Sequence, residues 1–536
     1  MLIRSSRSFS GFVLAVLLLI LSLAGCGKQT ARTGSELTVG YASWGKNNGD
    51  VALYEDFPDL LVRYMIYDRL FDLQRGRLIP RLAERYEVAD GGKTVVLHLR
   101  PGVKFHDGTV CDAQAVKFSL ERAVALKYGS WIPLVGLLEK GKAKLEVRDR
   151  NTVVLRLEEP NFEAVADLAE YHLSIMSPKC VNPPGNPKGP VKAAIGTGAW
   201  RVVKYIPGDR LVLAPFKDYW GERVLSLRRV TIRAIPDENT RVAALKSGEV
   251  NCVLDNIHGG QYYVPRALLT DLRKQGYSVL TTELPETRCL IFNYQKEPFS
   301  DPAVRQALSM AVNKKAIVDS VLSGWVQLAD HGVWPPGITP GGTQPAPRVW
   351  SYNPEEAKRL LAKAGWQPGP DGVLEKGGKK LAVEITVNAA GGLDEKQVAE
   401  VVQQQWKAVG VDARIRVLEK GAFNEARKRH NFDTMLFYAG GPECRIFMRT
   451  SWQFSTKSGT PPLFADARTD ALVAKALRSL NEQNRSEAFN ALNAYLSEQA
   501  AVIPLYYDIV AVVSAKNVSG IRFVGSNPDF RAVEIR

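Results

Sequence analysis

The sequence predicts an α/β protein of at least two lobes, and three observations support that class. At 536 residues the chain far exceeds one compact core of about 150 residues. Strand-like and helix-like segments alternate along its length. The stretch Leu381 to Val417 reads strand, helix, strand, which is the order of an α/β unit with a right-handed crossover.

Leu37 to Tyr41 opens the body as an alternating strand, and Asp59 to Leu73 reads as a helix entering an aromatic-rich turn. Thr94 to Arg100 and Thr152 to Leu157 are extended, with β-branched and alternating character. Between them Asp112 caps a helix reaching Ala125, with Val116, Leu120 and Val124 near one face. Val181 to Pro190 and Pro335 to Arg348 are dense in Pro and Gly and mark boundary loops. Asp301 caps a helix starting at Pro302, where a missing N–H does no harm.

Leu381, Val383, Ile385 and Val387 share one strand face. Val398, Val402 and Trp406 form the buried stripe of a helix from Glu395 to Val409, ended by Gly410, and Val411 to Val417 returns as a strand. A long polar helix from Ala465 to Gln499 precedes Val502 to Tyr507, a buried strand. The chain therefore ends on a strand that must join a sheet, expected to be that of the first lobe.

The first 25 residues read as a secretory signal. Arg4 and Arg7 precede the apolar run Phe12 to Leu21, which is too short to span a bilayer comfortably. The ending Leu23-Ala24-Gly25-Cys26 resembles the lipobox of bacterial lipoproteins, which implies a lipidated Cys26 at the head of the mature chain. Each buried acyl methylene contributes about 0.8 kcal/mol, so several chains hold a soluble body on a membrane. Residues 26–35 are a polar tether.

A hydrophobic fraction of 45% and a charged fraction of 24% are those of a soluble globular protein. The net charge of +14 is scattered, as in Arg427-Lys428-Arg429, and no aromatic-interleaved basic stripe appears. Nucleic acid is therefore not expected as a partner, while anionic lipid headgroups suit a diffuse basic surface. Lipidation of Cys26 leaves five cysteines, Cys111, Cys180, Cys252, Cys289 and Cys444, without CxxC spacing and with the pairing open. The six histidines form no HxxxH or HExxH pair, so neither a metal site nor a cofactor is expected. No GxSxG and no GxxxxGK[ST] occurs, which argues against a hydrolase and against ATP hydrolysis by this chain.

Several segments together resemble the family 5 extracellular solute-binding proteins, the peptide- and nickel-binding components of ABC importers. They are Val103 to Gly108 (VKFHDG), Ile195 to Trp200 (IGTGAW), Asp218 to Gly221 (DYWG), Ile235 to Asp237 (IPD) and Arg241 to Val250 (RVAALKSGEV). They continue with Phe292-Asn293, Phe299 to Leu308 (FSDPAVRQAL), Ala362 to Trp366 (AKAGW) and Ile503 to Tyr507 (IPLYY). The resemblance implies a periplasmic-binding-protein clamshell of type II, in the large peptide-binding cluster, with a subdomain inserted in lobe one. Lobe one would comprise residues 36–80, 195–286 and 501–536, the insert 81–194 and lobe two 287–500. The crossing strands would lie near Thr287 to Asn293 and just before Ile503. Gly196, Gly198 and Gly221 read as tight-turn positions, Tyr219, Trp220 and Trp366 as core aromatics, and His106 as a surface residue.

Ligand contacts are expected on cleft loops: Trp44 after the opening strand, Trp131 after the insert helix, and Trp334 in the loop entering lobe two. The loop after Asp433 to Tyr438 contributes Tyr438, Glu443 and Arg445. In peptide binders of the family an acidic residue near this loop meets the ligand's α-amino group, and Glu443 matches that position. The alternative for Glu443 is an ion pair with Arg445. Peptide-like cargo is the first reading. A nickel or metal chelate is the alternative, suggested by IGTGAW and Ala311 to Asp319 (AVNKKAIVD), although Lys127 to Trp131 and Ala169 to Leu173 contain no arginine; His172 or Lys127 would have to substitute. A receptor or chaperone on the same scaffold is a second alternative. The expected protein is an extracytoplasmic, lipid-anchored monomer serving an ABC permease, and not an enzyme.

Overall fold

Two long strands organise the molecule, Ser278–Phe292 and Val502–Ser514, both rich in β-branched and aromatic residues. A computed structural model of the chain describes residues 36–42, 50, 59–127, 132–255, 264–337, 344, 350–441 and 446–536. The two strands run antiparallel from Ser278 opposite Ser514 to Ile291 opposite Val502. Their register shifts between Glu283 and Thr287 and again between Arg288 and Cys289. Pro285 falls inside the first interruption, and a proline cannot donate to the ladder.

Either side of that break the strands serve different sheet halves. Their first-lobe ends join Cys252–Leu254, then Glu36–Tyr41, Arg229–Ala234, Arg210–Pro215 and Trp200–Ile206. Glu36–Tyr41 is parallel to Arg229–Ala234. Their second-lobe ends join Thr434–Gly440, then Ala382–Asn388 and Asp412–Leu418, with Gly392–Lys407 as the crossover helix. The strand–helix–strand unit legible in the sequence is thus present, and the last long strand does rejoin the first lobe. The crossing itself lies at Glu283–Arg288 and Tyr506–Ile509, earlier on one strand and later on the other than the sequence suggested, because both strands are long enough to belong to both halves.

A separate antiparallel sheet orders Ala83–Ala89, Thr94–Leu99, Thr152–Leu157 and Ala143–Asp149. Helix Ala113–Ala125 packs on it, its free N–H groups at Gln114 and Ala115 donating to Asp112 at 3.1 and 3.2 Å. Asp301 likewise accepts from Ala303 at 2.9 Å ahead of helix Pro302–Met310.

Two expected helices are shorter than predicted. Asp59–Ile66 stops before Asp68, and the chain turns into the hairpin Phe71–Gln74 and Arg77–Pro80. Buried Asp68 accepts from Arg81 at 2.7 Å and from Thr197 Oγ1 and Trp220 Nε1 at 2.9 Å each, tying three distant segments together. The polar stretch Ala465 to Gln499 forms two helices, Ala467–Arg478 and Glu482–Glu498. Asn481 caps the second, and the Arg485 guanidinium donates to the Ser479 and Leu480 carbonyls at 3.1 and 2.8 Å, satisfying the break.

The glycines of IGTGAW serve close approach rather than a turn. A Cβ on Gly198 would stand 2.5 Å from the Met65 carbonyl oxygen, and one on Gly196 would collide with that of Ile66. At Gly221 the Tyr219 ring fills the space, 2.9 Å from such a Cβ. Tyr219 and Trp366 are buried as expected. His106 is half-buried rather than on the surface: its Nε2 lies 2.9 Å from the Gly198 carbonyl oxygen and its ring meets Phe216 edge-on. Cys111, Cys180, Cys252 and Cys289 are buried free thiols.

A buried chain of charges follows the crossing. Arg266 meets Asp255 at 2.7 Å and Asp508 at 3.4 Å; Arg288 meets Asp508 at 3.2 Å and Glu395 at 2.8 Å. The Arg266 backbone N–H donates to Asp394 at 3.2 Å, so a helix of the second lobe touches one of the first. Three acids thus share two guanidiniums, and a fourth, Asp394, meets the backbone beside them. Burial pushes the Glu395 carboxyl up to about 7 against the pull of Arg288, and Asp508 and Asp394 add to the rise. Raised above the ordinary 4.5, this group contributes stability that is complete at low pH and lost as pH climbs through about 7. Glu395→Gln should therefore gain melting temperature relative to the unmodified protein as pH rises from about 5 to about 8. A constant difference across that window, read by scanning calorimetry, would refute this assignment.

Candidate functional site

The lobes meet along one continuous apolar cluster. It runs from Leu97, Phe105 and Val116 of the inserted sheet and its helix, through Phe162, to Phe437, Phe447 and Phe489. Phe162 opens the short helix Phe162–Ala166; its ring meets Phe447 edge-on at 5.1 Å and carries the Arg485 guanidinium at 3.5 Å. Arg77 Nε donates to Glu482 at 2.9 Å on the outer rim. These contacts bring the inserted subdomain onto the helices that cover strand Thr434–Gly440.

That strand ends beside the crossing. Gly440 stands opposite Glu286, and Tyr438 opposite Arg288. Helix Ile446–Phe454 then folds back over the strand end. The Gln453 carboxamide secures it, accepting from Gly440 N–H at 2.8 Å and donating to the Tyr438 and Gly440 carbonyls at 3.3 Å each. Gly440, at φ 87°, leaves no room for a side chain against Pro285.

Aromatic and cationic groups gather at this corner. Tyr438 is half-buried, with the guanidinium of Arg288 5.9 Å from its ring centroid and that of Arg449 5.5 Å away. Arg449 also lies 5.4 Å from the Trp452 ring, and Arg427 lies 5.2 Å from Phe437. Burial lowers the Arg427 pKa from its usual range, and the neighbouring Arg449 charge adds to the effect. On the inserted side, burial pushes the Glu163 carboxyl up to about 7. Nearby, His172 Nδ1 lies 2.7 Å from buried Glu170.

Of the cleft-loop contacts expected from the sequence, the structure describes Tyr438 and Trp334, and it also describes His172 and Lys127 of the chelate alternative. Tyr438 is at the corner just defined. Trp334 is fully buried, its ring edge-on to Phe454 and Phe489 in the apolar cluster along which the lobes meet. Trp44, Trp131, Glu443, Arg445 and the lipidation candidate Cys26 lie outside the described residues. Sequence reading passed over Arg449, Trp452, Arg427 and Glu163. The spacing of Arg449 and Trp452, three apart on the helix after the cleft loop, was the available signal. Nothing local marks Arg427 or Glu163.

Comparison with known proteins agrees with this architecture. The family model for bacterial extracellular solute-binding proteins, family 5 Middle, matches residues 77–454. Glutathione-binding protein GsiB of Salmonella paratyphi A is 28% identical over 475 residues, covering 85% of each chain. The nickel-binding periplasmic protein of Escherichia coli is 26% identical over 499 residues, covering 90% of this chain and 91% of its own. NikA from Brucella suis, solved with Fe(III)-EDTA, superposes with a TM-score of 0.80 at 26% identity, covering 94% of this chain and all of that one (100%). The oligopeptide-binding protein AppA from Bacillus subtilis, solved with a nonapeptide, shares the fold at a TM-score of 0.70 and 23% identity, covering 94% and 99%. With two lobes joined by a crossing strand pair and a family match over most of its length, the chain belongs to the family 5 extracellular solute-binding proteins of ABC importers.

Proposed function

We propose that this protein is the lipid-anchored binding component of an ABC importer that captures an oligopeptide or peptide-like solute between its lobes and delivers it to a permease. The observation that carries the reading is the interrupted crossing at Pro285, set between two lobes that meet around Tyr438. A sheet that loses its ladder at one point bends there, and a ligand that prefers the apposed form shifts the population toward it. Relatives named for glutathione and solved with a peptide support peptide-like cargo. The lobe division given above, at residues 81, 195, 287 and 501, is part of this proposal.

A second reading, a metal chelate, is favoured by the similarity to NikA solved with Fe(III)-EDTA. On it the cargo brings the metal's ligands. Among the described residues no helix is long and apolar enough to cross a membrane, and the proposed attachment is the lipid on Cys26. The protein is proposed to act as a monomeric binder and not as an enzyme.

Calorimetry with a tripeptide set, glutathione and a nickel–histidine chelate separates the readings: saturable heat with peptides supports the first, and heat with the chelate alone overturns it. Trp44→Ala and Glu443→Ala should each weaken peptide binding about tenfold, the loss of one charge-assisted or stacking contact, with an unchanged melting temperature. Unchanged affinity in both variants would remove them from the site. Cys26→Ser should move the protein from the membrane fraction to the soluble one; retention on membranes would rule out lipid anchoring.

A further inference from the structure

We propose that the cargo presents an anionic group, a carboxylate in a peptide-like solute, and that Arg449 receives it beside Tyr438 with Arg427 adding positive charge. The inference rests on the solute-binding reading and names the charge of what that site takes.

Buried arginines near the lobe junctions are answered either by backbone carbonyls, as Arg485 is by those of Ser479 and Leu480, or by carboxylates. Arg122 pairs with Asp50 at 2.5 Å, Arg266 with Asp255, and Arg288 with Asp508 and Glu395. Arg449 breaks the pattern. Its Nε is shielded from solvent and has no hydrogen-bond partner, and no carboxylate pairs with its guanidinium among the described residues. Arg427 donates to the Pro461 carbonyl at 3.2 Å and has no acidic partner there either. Two guanidiniums close enough for one to depress the other's pKa, with no carboxylate paired to either among the described residues, repel at the very corner where the lobes meet.

The corner holds Arg449 in place. A Cβ on Gly441 would stand 2.8 Å from Arg449 Cγ, so the glycine makes room for the arginine stem. The rings of Tyr438 and Trp452, at 5.5 and 5.4 Å, flank the planar head without using its N–H donors. A guanidinium held in this way is a ready fork for a carboxylate, which accepts two parallel N–H bonds and cancels the repulsion with Arg427. The helix bearing Arg449 also bears Phe447, which seats on Phe162 of the inserted subdomain. An anion bound here therefore interacts with an element that takes part in lobe apposition.

The test uses the mature chain and four probes in calorimetry: trialanine, trialanine amide, glutathione and citrate. The unmodified protein should bind trialanine at least tenfold more tightly than its amide. Arg449→Gln should erase that preference, Arg449→Lys should restore part of it, and Arg427→Gln should reduce it. Equal affinity for acid and amide, or a preference that survives Arg449→Gln, overturns the inference while leaving peptide binding intact. If peptides do not bind but citrate does, and only with Arg449 present, the peptide reading falls and the anionic site stands. If no probe binds, both fall. Should Arg449→Gln fail to fold, the acid-to-amide ratio in the unmodified protein and in Arg427→Gln decides the matter.

Discussion

The structure depends on a pair of strands that must serve two sheets while remaining one ladder. Ser278–Phe292 and Val502–Ser514 satisfy the backbone of both lobes, so neither half-sheet has an edge at the join. The ladder is interrupted around Pro285, where the first strand gives up donors. Charge replaces hydrogen bonding at that point: Arg266 and Arg288 bind Asp255, Asp508 and Glu395 in a dry chain from one lobe to the other. Removing one partner from such a chain leaves a buried charge unanswered, at a cost of about 3–5 kcal/mol. The chain thus orders the crossing without the rigidity of a continuous sheet.

Asp68 plays a comparable part inside the first lobe. By accepting from Arg81, Thr197 and Trp220 it draws the hairpin, the IGTGAW segment and the DYWG segment onto one carboxylate. The glycines of IGTGAW follow from the same packing, since the backbone of residues 65 and 66 lies where their side chains would be. The IGTGAW and DYWG motifs are therefore scaffold. A binding protein can keep its frame while its cargo changes, because frame and cleft rest on different side chains.

The positive corner around Tyr438 contrasts with the acid-rich crossing beside it. Arg288 belongs to both, holding Asp508 and Glu395 while its guanidinium approaches the Tyr438 ring. A ligand at the proposed corner site would share one side chain with the charges at the crossing, which would connect cargo and lobe apposition physically.

Local patterning alone determined the α/β class, the helix starts at Asp112 and Asp301, the parallel unit around Leu381 to Val417, and the return of the last strand to the first lobe. Those features depend on period and capping, which neighbouring residues encode. The division of residues 465–499 into two helices was also written locally, in Ser479 and Asn481, but a continuous polar stretch hid it. Tertiary structure decided the rest. Trp334 and Tyr438 look alike as loop aromatics, and only packing buries the first among Phe454 and Phe489 and leaves the second between two guanidiniums. Whether an arginine is answered by a carboxylate depends on residues tens to hundreds of positions away, and no sequence period carries that information.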